Sequence, residues 1–289
     1  MQITNKLGLP EAVYNVLAKD NYVKGDSNYS VTSLLKSPRQ LQLERRFTDD
    51  LVEDASDRVW SLLGQAAHTV LEQHAPEDSM SEERLYINIS DRRLGGQVDN
   101  YHDGIVTDYK VTSAYSIIYG SKLNDWEFQL NTYAKIFREN SYPVKGLQIV
   151  AILRDWSKMK ALSQKDYPQS PIQIIPITVL PDDVITTMID IRIRLHKEAE
   201  ELPTEELPPC NAHDMWEDAT KYAVMKEGRK SAVRVYSTWE DATDHIKEAG
   251  AKHYLEVRRG DRRKCKDYCA CAGICSQYQE YLNDRDKCE

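Results

Sequence analysis

Three charged residues in one short stretch of the chain have the types and spacing of a site that hydrolyses phosphodiesters. Asp99 ends the run GGQVD, and Asp108 and Lys110 stand two residues apart in TDYKV. Residues i and i+2 of a β-strand project from the same face, so the Asp108 carboxylate and the Lys110 ammonium should point the same way. Carboxylates that converge from adjacent strands suit Mg²⁺ or Mn²⁺, which prefer oxygen ligands. A lysine beside such a cation can orient or deprotonate the attacking water, so the pattern favours phosphodiester hydrolysis.

Two pairs of residues at helical spacing accompany these charges. Gly64 and His68 are one turn apart on one predicted helix. Gln129 and Tyr133 are one turn apart on another. Taken singly, each feature has a structural explanation, because a D-x-K is commonly a solvated strand face, His68 a surface histidine and Tyr133 a core residue. Their occurrence together carries more weight than any one of them.

The cysteines are concentrated near the end of the chain. None of the six precedes Cys210, and Cys288 is the last. Cytoplasmic thiols stay reduced, so this distribution predicts a metal-binding segment appended to a cysteine-free body, not a disulfide framework. The clustered cysteines are Cys265, Cys269, Cys271 and Cys275.

The helix that carries His68 is predicted from hydrophobic periodicity. The segment from about Asp57 to His74 has apolar residues at helical spacing on a single stripe. His68 falls on the opposite side, so we expect the stripe to pack and His68 to lie away from it. The stripe consists of Val59, Leu62, Leu63, Ala66, Val70 and Leu71.

A hairpin should position the charged residues. Two strand-like runs, 94–101 and 105–111, are separated by the turn signal His102-Asp103-Gly104. The order of helices and strands along the chain suits an α/β layer with a mixed sheet. The other predicted elements are a helix over 126–137, a buried strand over 147–153, a strand-rich run over 172–180 and a helix that begins at Pro181.

Composition and charge limit the class of protein. With 41% hydrophobic and 29% charged residues, the 289-residue chain has an ordinary globular composition. No apolar run is long enough for a membrane helix and the start lacks the apolar core of a signal peptide, so we expect a cytoplasmic protein with no membrane partner. The net charge of −8 means that any polyanion site must be local.

The composition changes near residue 200, where AEELPTEELPPC forms an acidic, proline-bearing connector. We therefore expect two parts, a core over 1–200 with an N-terminal helical portion and a basic, cysteine-rich element over 201–289. The basic residues beside the cysteines are Arg258, Arg259, Arg262, Arg263, Lys264 and Lys266.

The motifs G-x-x-x-H, G-G-Q-V-D, D-Y-K and Q-x-x-x-Y occur in this order, and together they resemble the PD-(D/E)XK nuclease superfamily, specifically its RecB-like exonuclease branch. The resemblance covers roughly 30–153 for the catalytic part, and the cysteine segment extends it to nearly the whole chain. It implies an α/β, restriction-endonuclease-like core with a mixed central sheet flanked by helices, plus a C-terminal cysteine-ligated element. Val98 stands where the family name has proline, a common substitution that leaves the acid in place.

The resemblance also assigns roles by matching position. It makes His68, Asp99 and Asp108 the ligands of Mg²⁺ or Mn²⁺. The Q-x-x-x-Y helix lines the DNA and the active site in that family. The catalytic residues that the resemblance implies are Asp99, Asp108, Lys110, Gln129 and Tyr133.

The branch includes nucleases of CRISPR adaptation and of helicase–nuclease complexes, in which one upstream and three C-terminal cysteines hold a [4Fe-4S] cluster. The segment SLLKSPRQLQLERR looks like their N-terminal signature, but Ser37 stands where the upstream cysteine is expected. Cys271 competes for a place among the ligands, and structural Zn²⁺ is the alternative to the cluster. The preferred ligand set is Cys210, Cys265, Cys269 and Cys275, although Cys265-x3-Cys269 has one residue more than the usual spacing.

The function that the resemblance implies is a metal-dependent DNA exonuclease of phage or bacterial recombination and repair. Two alternatives stay open: an endonuclease of the same fold, or a non-catalytic, nuclease-derived protein of DNA binding or assembly. No base-reading motif is evident and the basic residues near the cysteines suit a phosphate backbone, so DNA binding should be largely sequence-independent. A single-strand annealing protein or a helicase is a candidate partner.

Overall fold

The structure is a computed structural model that describes residues 1–19 and 25–286. The chain divides into two compact units, the first formed by Met1–Lys36 and Val52–Leu202 and the second by Ser37–Leu51 and Pro203–Glu289. The sequence-based division at residue 200 differs from this in one respect, because Ser37–Leu51 belongs to the second unit. Hydrophobic patterning does not reveal that a segment leaves one unit and returns.

The strands and helices of the described residues are numbered along the chain. The strands are β1 (Gln2–Thr4), β2 (Tyr29–Ser30), β3 (Val52–Asp54), β4 (Arg84–Ile89), β5 (Arg92–Gln97), β6 (Asn100–His102), β7 (Ile105–Thr112), β8 (Gly146–Leu153), β9 (Ile172–Ile177), β10 (Lys221–Lys226), β11 (Arg234–Tyr236) and β12 (His253–Arg258). The helices are α1 (Glu11–Ala18), α2 (Val31–Leu34), α3 (Pro38–Arg46), α4 (Val59–Gln73), α5 (Ala114–Ile118), α6 (Leu123–Glu139), α7 (Lys158–Ser163), α8 (Asp182–Glu201), α9 (Ala212–Met215), α10 (Trp239–Ala249), α11 (Arg263–Asp267) and α12 (Ser276–Asp286).

The first unit is mixed α/β. Its largest sheet has the order β6-β7-β8-β9, in which β7 and β8 are parallel and the outer pairs are antiparallel. A second sheet has the order β2-β5-β4, and β1 pairs with β3. The predicted mixed sheet is therefore confirmed. The helix predicted over 126–137 lies within α6, and the strand predicted over 147–153 lies within β8.

The predicted hairpin is correct at its turn and wrong in its first strand. Asp103 and Gly104 both have positive φ, 51° and 84°, as a two-residue type I′ turn requires. The run predicted as one strand over 94–101 is divided at Val98 and Asp99, so that β5 pairs with β4 in one sheet and β6 pairs with β7 in another. Alternation of side chains cannot show where a strand changes its partner.

Helix α6 forms the centre of the first unit. It contacts strands of both larger sheets as well as α8, and its residues from Phe128 to Phe137 are buried. Helix α6 packs closely on strand β5 at Gly96, which has no side chain. A Cβ added there would lie 2.7 Å from Ile136 Cδ1 and 2.9 Å from Tyr133 Cδ1. The glycine pair before Asp99 thus serves close packing of β5 against α6.

Helix α4 turns most of its predicted packed face outward. His68 is half-buried next to β7, and Leu62 and Leu71 of the apolar stripe are half-buried too. The rest of the stripe is exposed, Val70 by 57%. Hydrogen bonding explains the reversal, since His68 has polar partners inside the unit. Periodicity identified the two faces of the helix but not which of them the remaining chain covers.

The second unit contains a small antiparallel sheet and the cysteine segment. The sheet has the order β11-β10-β12, and α10 packs on it. Helix α3 begins with Pro38 at its first turn and is capped by Ser37, whose Oγ accepts the Gln40 N–H. Cys288 lies outside the described residues.

No helix among residues 1–19 and 25–286 combines the length and the apolar character needed to cross a membrane.

Candidate functional site

The break between β5 and β6 places Asp99 beside β7. Its Oδ2 accepts a hydrogen bond from the Tyr109 backbone N–H at 2.6 Å. The break frees this side chain from the alternation of a regular strand and turns it toward the strand that carries Asp108 and Lys110. The motif GGQVD thus ends where one sheet gives way to the other.

Strand β7 and helix α6 bring the next four predicted residues together. The Lys110 Nζ atom lies 2.6 Å from Asp108 Oδ2, as expected for residues on one strand face. The Gln129 amide donates to Asp108 Oδ1 at 3.1 Å and to the Tyr133 hydroxyl at 3.3 Å. Gln129 and Tyr133 are both buried, so the Q-x-x-x-Y pair orients the Asp108 carboxylate from within the core.

His68 connects this strand to two carboxylates. Its Nε2 lies 3.0 Å from the Tyr109 carbonyl oxygen, which can only accept a hydrogen bond, so Nε2 carries a proton. Its Nδ1 lies 3.4 Å from Asp99 Oδ1 and 3.5 Å from Glu82 Oε1. A histidine that donates one ring N–H to a backbone carbonyl and turns its other nitrogen toward carboxylates has the orientation typical of a metal ligand.

Glu82 is the site residue that sequence reasoning missed. It precedes β4 with a φ of 54°, its backbone N–H donates to the Val98 carbonyl at 3.0 Å, and its Oε2 accepts from the Gln97 amide at 2.7 Å. Gln97 therefore holds the carboxylate of Glu82, and Val98 holds its backbone. No periodic pattern marks this loop glutamate, and the neighbouring Glu83 has the same residue type.

Three possible metal ligands come together at this site. Among the described residues, a ligand atom from each of His68, Glu82 and Asp99 lies within 4.8 Å of the other two. Asp108 is not part of this trio, because it faces Lys110 and Gln129. Its Oδ2 is buried, and apart from the Lys110 ammonium contact it has no aligned hydrogen-bond donor. All the side chains of the site line one cavity of about 240 Å³. An imidazole and three carboxylates in one cavity fit a divalent cation such as Mg²⁺ or Mn²⁺.

The charged groups of the site shift one another's pKa values. The hydrogen bond to Glu82 is the main cause that raises the pKa of His68 to about 9, with burial opposing it. Burial and repulsion from Asp108 raise the pKa of Asp99 to about 7. Burial opposes the charge of Lys110, but attraction to Asp108 and Asp99 outweighs it and raises the lysine pKa above its ordinary value. The raised pKa of His68 favours a second ring proton at neutral pH, which Nδ1 would direct toward the carboxylates.

The second unit gathers five cysteines around one cavity. The sulfur atoms of Cys210, Cys265, Cys269 and Cys275 interact electrostatically, and Cys271 is 1% exposed beside them. The cavity is lined by Cys210, Cys265, Cys269, Cys271, Cys275 and residues of α3, including Arg39, Gln40 and Leu43. Ser37 is also present, with its Oγ 3.0 Å from Cys210 Sγ. Cys210 therefore lies beside Ser37, the position at which the resemblance led us to expect the upstream cysteine.

Thiolates that line one cavity could hold a [4Fe-4S] cluster or a tetrahedral zinc ion.

The thiols of this cavity differ in acidity. A hydrogen bond from Cys271 lowers the pKa of Cys269 to about 7, with burial opposing it. The same hydrogen bond, together with burial, raises the pKa of Cys271, whose Sγ also lies 4.0 Å from the Gln40 carbonyl. Burial raises the pKa of Cys265 to about 11. Cys271 thus acts as a hydrogen-bond donor in this arrangement, unlike its neighbour Cys269.

The basic residues near the cysteines are partly neutralised. Arg258 pairs with Glu256 at 2.6 Å, and Arg262 pairs with Glu217 at 3.3 Å. Arg263 pairs with Asp218 at 3.0 Å. These carboxylates reduce the positive charge that the stripe offers to a phosphate backbone.

Comparison with known proteins gives only distant likenesses. No protein-family model matches the sequence, and no curated protein matches it. A solved structure described as SSO0001 is 20% identical, with a TM-score of 0.44 over 63% of this chain and 84% of that one. A structure named "Putative exonuclease", from Eubacterium rectale, is 14% identical, with a TM-score of 0.32 over 50% of this chain and 56% of that one. At these scores neither likeness bears on the function of this chain.

Proposed function

We propose that the first unit has a PD-(D/E)XK core and is a metal-dependent DNA nuclease that degrades DNA from its ends. The orientation of His68 carries the proposal. Its Nε2 faces the Tyr109 carbonyl and its Nδ1 faces Asp99 and Glu82, so the deprotonated ring would direct a lone pair into the space between two carboxylates.

The cation would be held by His68, Glu82 and Asp99, and Asp108 lines the same cavity. A divalent cation bound there would supply Lewis-acid stabilisation of the negative charge that develops on the scissile phosphate. The chain itself provides the anchoring, since Gln97 fixes Glu82 and the Tyr109 N–H fixes Asp99.

Lys110 has an electrostatic role in this proposal. Its pKa lies above the ordinary lysine value because Asp108 and Asp99 attract the ammonium, so it stays protonated at neutral pH. A protonated lysine cannot remove a proton from water, but it can donate hydrogen bonds to the attacking water and to the phosphate oxygen. Of the two roles open to this lysine, the geometry favours orientation and charge stabilisation over base catalysis.

Gln129 and Tyr133 act through Asp108. The Gln129 amide donates to Asp108 Oδ1 and leaves Oδ2 to Lys110, so each carboxylate oxygen has a fixed direction. Both residues are buried in α6, which makes them positioning residues of the site. A phosphodiester that enters the cavity would meet a site whose donors and acceptors are already oriented.

Digestion of linear and covalently closed DNA by the purified full chain tests the proposal. With Mn²⁺ or Mg²⁺ we expect end-labelled linear DNA to be degraded and closed circles to persist, and with EDTA we expect neither to change. Rapid cutting of closed circles would instead support an endonuclease of the same fold. Binding of DNA with no hydrolysis under any metal would support a non-catalytic DNA-binding protein.

For the second unit we propose a [4Fe-4S] cluster held by Cys210, Cys265, Cys269 and Cys275. Their shared cavity supports it. The cluster would cross-link the segment around Cys210 to the end of the chain, and so stabilise a small unit with a limited core.

A further inference from the structure

Exposed aromatic rings and unpaired cations gather where β7 and β8 end, close to the candidate metal site in the same unit. Arg154 follows β8 directly, and its backbone N–H donates to the Thr112 carbonyl at the end of β7 at 3.0 Å. Its guanidinium carbon lies 4.1 Å from the centre of the Trp60 ring on α4, and that indole is 50% exposed. The carboxyl ends of adjacent parallel strands are a common place for ligands in α/β folds.

Lys122, just before α6, adds a second cation beside the site. Burial lowers its pKa, and repulsion from Arg154 and from Lys110 lowers it further, whereas Asp125 acts in the opposite sense. Within the described part of the chain, neither Lys122 nor Arg154 forms an ion pair with a carboxylate. This distinguishes them from Arg258, Arg262 and Arg263 of the second unit, each of which pairs with a carboxylate. Two such cations next to Lys110 are an unsatisfied positive region that attracts anions.

Two tyrosines extend the same region along α5, which begins four residues after Lys110. The rings of Tyr115 and Tyr119 are stacked, with centroids 6.0 Å apart and planes inclined by 18°. Tyr119 is 75% exposed, and Lys160 fixes Tyr115 by donating to its hydroxyl at 3.2 Å. The nearby Asp155 carboxylate accepts a hydrogen bond from the Ala114 N–H at 2.7 Å, at the start of α5.

These side chains form what we name the aromatic–basic surface, which consists of Trp60, Tyr115, Tyr119, Lys122 and Arg154. We propose that this surface binds single-stranded DNA and guides it to the metal site, an inference that rests on the proposed nuclease function. The cations would contact phosphates, and the exposed tyrosine face would stack an unpaired base.

The combination favours a single strand over a duplex. Bases inside a duplex are already stacked on each other, so their faces are not open to a protein ring. Unpaired bases offer both faces, and aromatic stacking together with a basic groove is the usual way in which proteins bind single strands without reading sequence. Contacts to phosphates and to base faces use parts that every nucleotide has, which favours sequence-independent binding.

Fluorescence anisotropy with a labelled 15-nucleotide oligothymidine tests the surface on the full chain. Lys110→Ala serves as the background so that the probe is not cut. Adding Tyr119→Ala should weaken binding about tenfold through lost stacking, whereas Tyr119→Phe, which keeps the ring, should bind like the background. Adding Lys122→Gln with Arg154→Gln should reduce the slope of log affinity against log salt by about 1.4, roughly 0.7 for each phosphate contact. Arg234→Gln, at an exposed arginine of the second unit, is the matched control and should leave both quantities unchanged.

Two results would contradict the proposed role of the aromatic–basic surface. One is equal affinity of the Tyr119→Ala and Tyr119→Phe proteins with an unchanged salt slope in the double variant. The other is a blunt 15-base-pair duplex that binds as tightly as oligothymidine and is weakened equally by the same changes. Because anisotropy is read without hydrolysis, a parent chain that binds as expected but never cuts DNA contradicts the proposed function and leaves the surface intact. Hydrolysis by the parent together with unaffected binding in the variants contradicts the surface alone.

Discussion

Glu82 contributes to the candidate site through its position and not through a motif. Its carboxylate is held by Gln97 and lies with Asp99 against the same nitrogen of His68. The motif residues were predictable because spacing along a strand or helix fixes which side chains share a face. Glu82 was not, because contacts with residues distant along the chain, among them the hydrogen bond from its N–H to Val98, bring this loop to the strand break.

We expect Glu82→Gln to weaken Mn²⁺ binding at least about tenfold, because the change removes an anionic donor while it keeps the shape of the side chain. Isothermal titration of the full chain with Mn²⁺ measures this. Glu83→Gln is the matched control, since the adjacent glutamate is exposed and lies outside the cavity. Equal affinities of the two variants would remove Glu82 from the ligand set.

The pKa values of His68 and Asp99 predict a pH dependence of metal binding. A cation must displace the second proton of His68, whose pKa is raised to about 9, and below about pH 7 it must also displace a proton from Asp99. The apparent affinity for Mn²⁺ should therefore rise with pH, by about tenfold per unit between pH 7 and 9 and more steeply below 7. In His68→Ala the dependence should become shallower, because only Asp99 then has to lose a proton. That proton should come off at higher pH than in the parent, since the attraction of His68 no longer lowers the pKa of Asp99. A parent affinity that stays constant from pH 6 to 8 would contradict this account of the site.

At the scale of elements, the sequence predicted most of the segments that carry the site and missed how some of them turn. Helix α6, strand β8 and the turn at Asp103-Gly104 follow from local patterns, since burial and turn geometry leave a local signature. The division of the predicted strand at Val98 and the inward face of α4 depend on partners far along the chain. Neither the alternation of side chains along a strand nor the periodicity of a helix shows which other element will pack against it.

Gly96 tests the packing of β5 on α6. Gly96→Ala should destabilise the chain by about 1–3 kcal/mol, because the new methyl group would meet the Tyr133 ring and Ile136 in a filled core. Gly64→Ala is the control with the opposite sign, since nothing lies within 4 Å of an added Cβ there and alanine should stabilise helix α4 by about 0.5–1 kcal/mol. Urea denaturation of the two variants measures both effects. A Gly96→Ala protein as stable as Gly64→Ala would contradict the close approach of α6.

At the scale of the whole molecule, the division into units differs from a simple cut near residue 200. Helix α3 belongs with the cysteines, and Ser37 at its start contacts Cys210. The sequence predicted the cysteine cluster because four of its members are close along the chain. It could not show that Cys210 approaches Ser37, because that contact joins positions 173 residues apart.

The cysteine cavity predicts iron in the protein. Anaerobically purified chain should be brown and contain iron and acid-labile sulfide, and Cys275→Ser should lose both colour and thermal stability. Cys271→Ser is the matched control, because Cys271 donates a hydrogen bond to Cys269 and is not among the four proposed ligands. Elemental analysis and visible absorption distinguish the outcomes. Stoichiometric zinc in colourless protein would replace the cluster, and protein with neither metal would remove this site.

The most direct measurement of the central claim is the rate at which the full chain degrades end-labelled linear DNA with Mn²⁺, compared with the rate of Lys110→Ala. The ammonium lies 2.6 Å from Asp108, and its loss should remove charge stabilisation that is worth about a hundredfold or more in rate. Lys197→Ala, at an exposed lysine of α8, should cut at the parental rate. Mn²⁺ affinity of Lys110→Ala should stay measurable, which shows that the site remains folded. Equal rates for the parent and Lys110→Ala would contradict the assignment of this cavity as a nuclease active site.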